Sequence, residues 1–217
     1  KLKNIDTVDK LNQFPKLRRI KFYDMTGQED LSILQDMSHV EEIIIEDSVV
    51  GAQFTNGKFK SVKSIELINC TVNEQTQFVS FNSVAEFYAE STKFTTSDGN
   101  FQLTSYMPTL EELTLINCGE FGELIGVGNL QMLSTLELSS GTIVNKTSYI
   151  QCQNLEEANI DISFAKNITQ VTALSRLKKL KSLTLRAGKS SLSSTDLKNA
   201  VAQISKALPD ASVSLVR

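Results

Sequence analysis

Leu110-Glu111-Glu112-Leu113-Thr114-Leu115-Ile116-Asn117-Cys118 decides how this chain folds. Counting from Leu110, positions 1, 4 and 6 are apolar, and 4 and 6 alternate as one face of a β-strand does. The frame recurs at Leu17-Arg-Arg-Ile-Lys-Phe22, Val40-Glu-Glu-Ile-Ile-Ile45, Val62-Lys-Ser-Ile-Glu-Leu67 and Val84-Ala-Glu-Phe-Tyr-Ala89. It returns again at Leu133-Ser-Thr-Leu-Glu-Leu138, Leu155-Glu-Glu-Ala-Asn-Ile160 and Leu180-Lys-Ser-Leu-Thr-Leu185, so that successive starts lie 23, 22, 22, 26, 23, 22 and 25 residues apart. A fourth apolar column stands three residues before position 1: Phe14, Met37, Phe59, Phe81, Met107, Leu130, Cys152 and Leu177. All thirty-two of these places are apolar in a chain that is 41% hydrophobic, so the period is a structural repeat. A unit this short cannot bury its apolar face alone; neighbours must stack, with their strands parallel and about 4.8 Å apart.

Over residues 14–217 this LxxLxLxxN/C pattern resembles the leucine-rich repeat superfamily. The resemblance implies an α/β solenoid: a curved horseshoe with eight or nine short parallel strands on the concave face and irregular or helical crossovers on the convex face. Position 9, where the family places an inward Asn or Cys, reads Met25, Ser48, Cys70, Thr92, Cys118, Gly141, Ser163 and Gly188. The chain thus departs from the continuous Asn ladder and is similar to the Cys-containing, ribonuclease-inhibitor-like variety. The expected organisation is one domain over 1–217, with an N-terminal cap at 1–16, eight repeats at 17–192 and a capping helix and last strand at 193–217. Ser193-Ser-Thr-Asp196 opens that helix as a capping box would, and Leu197, Val201, Ile204 and Leu208 follow at helical spacing. Helical spacing also marks Glu29–Met37 and Asn167–Leu180, and a capping helix is expected at Thr7–Phe14, whereas the crossovers around 48–60 and 71–82 are too short and polar for helices.

Outward from the repeat, composition argues against catalysis. The chain of 217 residues has no Trp, one His and three widely spaced Cys, and no pair of residues combines a nucleophile with a positioned base. Cys70, Cys118 and Cys152 read as buried packing groups without a disulfide, which favours a reducing, intracellular compartment; a secreted or surface protein is the alternative. Gly188-Lys-Ser-Ser191 echoes the end of a phosphate loop, but Leu183 stands where its first glycine is needed. Gly126-Val-Gly128 lacks a third glycine, and His39 falls in the turn before a strand. Asn69-Cys-Thr71, Asn145-Lys-Thr147 and Asn167-Ile-Thr169 match the glycosylation sequon, as a Ser- and Thr-rich chain does by chance. No cofactor or metal is expected, and no apolar run is long enough to insert into a bilayer.

The formal charge of −3 conceals segregation: residues 1–22 carry seven basic and two acidic groups, 23–165 five and twenty-one, and 166–217 ten and two. Positions 2, 3, 5 and 7 of each repeat face outward. In the six central repeats they hold twelve carboxylates against one cation, Lys63. The candidate partner-binding surface is therefore Glu42, Ile44 and Glu46; Glu66 and Ile68; Glu86, Tyr88 and Glu90; Glu112, Thr114 and Ile116; and Glu137, with the apolar residues as anchors inside a charged rim. The expectation is a monomeric, non-catalytic recognition or scaffold module whose acidic concave face binds a basic protein. That groove would repel nucleic acid. The resemblance implies the same class of function, since most such proteins are recognition modules. A surface adhesion protein and a substrate-adaptor domain of a larger protein share the pattern and stand as alternatives.

Overall fold

The computed structural model describes residues 13–27, 31, 34, 36–51, 59–73, 81–95, 99–102 and 107–217. Each of the eight frames supplies one five-residue strand: Arg19–Tyr23, Glu42–Glu46, Ser64–Ile68, Glu86–Glu90, Glu112–Ile116, Thr135–Ser139, Glu157–Asp161 and Ser182–Arg186. Ser212–Val216 adds a ninth, and all nine pair in chain order as one parallel sheet. The register never slips, so equal positions of consecutive repeats lie side by side: Arg19 by Glu42, Glu42 by Ser64, Ser64 by Glu86, Glu86 by Glu112. Positions 4 and 6 point inward and are buried in all eight repeats, as one side of a pleated strand must be.

The fourth apolar column has a backbone reason for its fixed spacing. The N–H of position 1 donates to the carbonyl three residues earlier: Val40 to Met37, Val84 to Phe81, Leu110 to Met107, Leu133 to Leu130, Leu155 to Cys152 and Leu180 to Leu177, at 3.0–3.3 Å. A tight turn thus feeds each strand, and its first residue drops into the core. The first repeat keeps the turn, with Leu17 N–H donating to the Phe14 carbonyl at 3.0 Å, but its Phe14 is exposed and its Leu17 half-buried.

Two features follow each strand. Position 8 adopts a left-handed backbone in six consecutive repeats, at Asp24, Asp47, Asn69, Ser91, Asn117 and Ser140, with φ between 48° and 54°. Short polar side chains tolerate this region, where β-branched ones do not. The turn swings position 9 inward, where a ladder of small polar groups runs through the stack. Met25 N–H donates to Ser48 Oγ at 3.0 Å, Cys70 N–H to Thr92 Oγ1 at 3.2 Å and Cys118 N–H to Thr142 Oγ1 at 2.9 Å. The backbones of Ser48 and Thr92 bond the intervening thiols Cys70 and Cys118. Each group in turn donates to carbonyls: Cys70 Sγ to Ile45 and Ile68, Thr92 Oγ1 to Leu67 and Glu90, Cys118 Sγ to Ala89 and Ile116. The expected assignment of Gly141 to this column is corrected. Gly141 has a φ of 97° and extends the turn by one residue, so that fully buried Thr142 takes the rung.

On the far side, short parallel strands such as Val49–Val50, Thr71–Val72 and Lys93–Phe94 form a second strip. Beneath them Phe87, Phe94, Phe101 and Phe121 pack with ring centroids 4.9–6.0 Å apart, and Phe59 stacks on Phe81 at 4.7 Å. The spacing at Asn167–Leu180 yields one helical turn, Ile168–Thr172, continued by a 3-10 turn over Ala173–Arg176. Ser194–Ala207 is the C-terminal helix; Ser193 Oγ accepts from Asp196 N–H at 3.1 Å, and Leu197, Ala200 and Ile204 are buried. The expected helix at 7–14 falls almost wholly, and that at 29–37 in part, outside the described residues. Leu31, Leu34 and Met37 are nevertheless buried, as one face of such an element would be.

Candidate functional site

The outward face of the sheet carries three columns of side chains set by the unslipped register. Position 3 reads Arg19, Glu42, Ser64, Glu86, Glu112, Thr135 and Glu157. Position 5 reads Lys21, Ile44, Glu66, Tyr88, Thr114, Glu137 and Asn159, while position 7 begins with Tyr23, Glu46, Ile68, Glu90, Ile116 and Ser139. Every expected partner-binding residue lies in these columns, but they are not equivalent.

The basic first repeat neutralises the acids of the second. Arg19 pairs with Glu42 at 2.5 Å, Lys21 with Glu46, and Arg18 approaches Glu41 at 3.6 Å. At the other end Lys181 pairs with Glu156 at 2.5 Å. Exposed pairs of this kind add little stability, about 0–1 kcal/mol each, but they cancel charge. Ile44, expected as an apolar anchor, is only 7% exposed and offers a ligand almost nothing. Glu42, Ile44 and Glu46 thus offer a ligand less free charge and apolar surface than the expected residues of repeats 3–6 do. These pairings were readable in outline, because Arg19 and Glu42 share position 3, and Arg18 and Glu41 share position 2, on adjacent strands.

In the middle no cation among the described residues ion-pairs with Glu66, Glu86, Glu90, Glu112 or Glu137. Lys63, the sole central cation of the face, directs its Nζ to the Ser83 carbonyl at 3.4 Å. Glu86 and Glu112 are exposed and directly opposite one another. Half-buried Tyr88 stands between Glu66 and Thr114, and its hydroxyl donates to Glu90 Oε2 at 2.6 Å. Its pKa is pushed up to about 12, first by burial, then by the hydrogen bond to Glu90 and the charges of Glu90, Glu66 and Glu137. Glu137 Oε1 accepts from Ser139 Oγ at 2.6 Å and Asn159 Nδ2 at 2.9 Å, a pair of neutral donors that holds the carboxylate in place without discharging it. Half-buried Ile68 and Ile116 flank the strip.

The described residues contain no group of three or more His, Cys, Asp or Glu placed to hold a metal ion, and no described helix is long and apolar enough to cross a membrane. All three cysteines are free and buried, and burial pushes their thiols up, that of Cys152 to about 12. Such thiols stay protonated and unreactive near neutral pH. His39 is half-buried in the turn before the second strand; its carbonyl accepts from Arg18 Nη1 at 3.3 Å and its Nε2 has no partner. The sequon asparagines are engaged: Asn69 with Asp47, Asn145 with Glu120, and Asn167 as the cap of the Ile168–Thr172 turn.

Nine parallel strands in unbroken order, built from 22- to 26-residue units on a shared inner ladder, define a leucine-rich-repeat solenoid. Among solved structures the chain is similar to an internalin from Listeria monocytogenes, with a TM-score of 0.58 and 18% sequence identity. The likeness covers 88% of this chain and 52% of the internalin, so the chain spans about half the length of that protein. No family model matches the chain, and no curated protein matches its sequence.

Proposed function

We propose that residues 1–217 act as one monomeric, non-catalytic recognition domain that binds a basic segment of a partner protein on the outward sheet face of repeats 3–6. The carrying observation is the run of carboxylates without cation partners among the described residues, Glu66, Glu86, Glu90, Glu112 and Glu137, around Tyr88. Like charges on neighbouring strands repel, so a fold selected for stability alone would interleave cations here as it does at both ends of the sheet. A lysine- or arginine-rich segment would supply the missing charge, stack a cation on Tyr88 and cover Ile68 and Ile116. In this reading the inner ladder and the apolar columns are the rigid scaffold, and specificity lies in the side chains that stand on it.

A lysine- and arginine-rich peptide titrated against the chain tests the reading. Glu66→Lys, Glu86→Lys and Glu112→Lys combined are expected to weaken binding by a factor of about 100 or more, and wild-type affinity is expected to fall steeply with salt. The same reversal at Glu41 and Glu42 is expected to have a far smaller effect, because those carboxylates already have partners. Equal losses from the two sets would count against a site centred on repeats 3–6.

A further inference from the structure

We infer a second, separate binding site: a cavity at the C-terminal ends of the later strands that takes a tetrahedral oxyanion group, a phosphate or a sulfate. The cavity measures about 250 Å³ and is lined by Arg186, Lys189 and Arg217, by Asp161, and by the glycines Gly141 and Gly188. Three basic residues therefore line it against one acidic residue. Asp161 is itself turned towards backbone donors: its Oδ1 accepts from Ser163 N–H at 2.9 Å and its Oδ2 from Gly141 N–H at 3.4 Å.

Arg186 is held ready for such a ligand. Its Nε donates to Asn159 Oδ1 at 2.9 Å, and Asn159 is anchored in turn on Glu137, so the guanidinium is oriented while its terminal nitrogens keep their donors. A planar guanidinium presented in this way suits bidentate contact with an oxyanion. Lys189 rides on a fixed turn, in which Ala187 N–H donates to the Val216 carbonyl at 2.8 Å and Ser190 N–H to the Ala187 carbonyl at 3.2 Å. A Cβ added at Gly188 would meet no atom within 4 Å, so the cavity is open on that side. The cavity lies below the range of about 300–1,000 Å³ that encloses whole small molecules, which fits one anionic group with the rest of its carrier outside. The surroundings agree in sign, since residues 166–217 hold ten basic and two acidic groups. Gly188-Lys189 thus borders an anion cavity without forming a nucleotide loop, because the following helix starts only at Ser194.

Amide chemical shifts followed by NMR during titration with inorganic phosphate, sulfate and acetate, at constant ionic strength, test the site. Phosphate and sulfate are expected to shift a cluster around Gly141, Ser163, Gly188 and Lys189, with acetate at least about tenfold weaker. The double substitution Arg186→Gln with Lys189→Gln is expected to weaken phosphate binding by about tenfold or more. Gly188→Asp, which places a carboxylate in the opening without backbone strain, is expected to abolish it. Absent or scattered shifts, acetate binding as tight as phosphate, or wild-type affinity in these variants would overturn the proposal. Gly188→Asp, which touches no residue of the acidic site, is expected to keep the affinity for a basic peptide, so failure here is distinct from failure of that site.

Discussion

Among the described residues Tyr149 is the largest of the fully buried side chains, and its hydroxyl has no hydrogen-bond partner there. Burial alone drives its pKa above the ordinary tyrosine value, so the group is neutral at any physiological pH and contributes only an unsatisfied donor and acceptor. Leaving such a group unpaired costs about 1–3 kcal/mol, whereas the ring beneath it packs in the core. Tyr149→Phe is therefore expected to leave stability unchanged or raise it by about 1 kcal/mol in urea unfolding, and a loss of that size would reveal a buried water on the hydroxyl. Nothing local in the sequence marks this tyrosine, whose orphan state depends on what surrounds it in three dimensions. Position 8 is the opposite case. Asp24, Asp47, Asn69, Ser91, Asn117 and Ser140 are all residue types that accept a left-handed turn or form one, and their recurrence was legible beside the leucine columns. The series stops where Ile162 and Ala187 take the position, and those two repeats lead into the Ile168–Thr172 turn and the C-terminal helix.

At the scale of the repeat, the ladder at position 9 joins one unit to the next through groups that could not be left unpaired. Thr92 illustrates its energetics: its hydroxyl donates to the carbonyls of Leu67 and Glu90 and accepts from Cys70 N–H. Thr92→Val keeps the shape but strands a buried amide, and it is expected to cost about 2 kcal/mol, while Thr92→Ser, which retains the hydroxyl, is expected to cost less than half as much. Urea midpoints at unchanged slope decide between them; equal losses would assign the column to packing alone. The strands, the inward columns and the C-terminal cap were all legible, because a period of two within a period of about 23 leaves the register no freedom. Gly141 was misplaced because counting assumes a constant turn length. A one-residue expansion of the turn shows itself only in the backbone, where Ser140 and Gly141 are both left-handed and Thr142 receives the Cys118 amide.

Over the whole molecule, the same charge segregation is read differently at the ends of the sheet and at its centre. An acidic block lies between two basic ones in the sequence; in register, the basic ends ion-pair with acidic neighbours, while the central carboxylates have no cation partner among the described residues. The pairings could be read in outline from shared positions on adjacent strands, whereas the covering of Ile44 was the illegible part of the candidate site, since a list of outward residues does not give burial. A repulsive centre held for binding also has a thermodynamic signature in the free protein. Glu86 and Glu112 lie directly opposite one another, so Glu86→Gln or Glu112→Gln is expected to raise the Tm of the isolated chain. The gain should be largest near 0.01 M salt, where the screening length is about 30 Å, and should shrink towards about 10 Å of screening at 0.1 M. The same substitutions are expected to weaken binding of the basic peptide, so stability and affinity should move in opposite directions. If either substitution lowers the Tm at low salt, Glu86 and Glu112 support the fold, and the repulsion argument for a binding role at those positions fails.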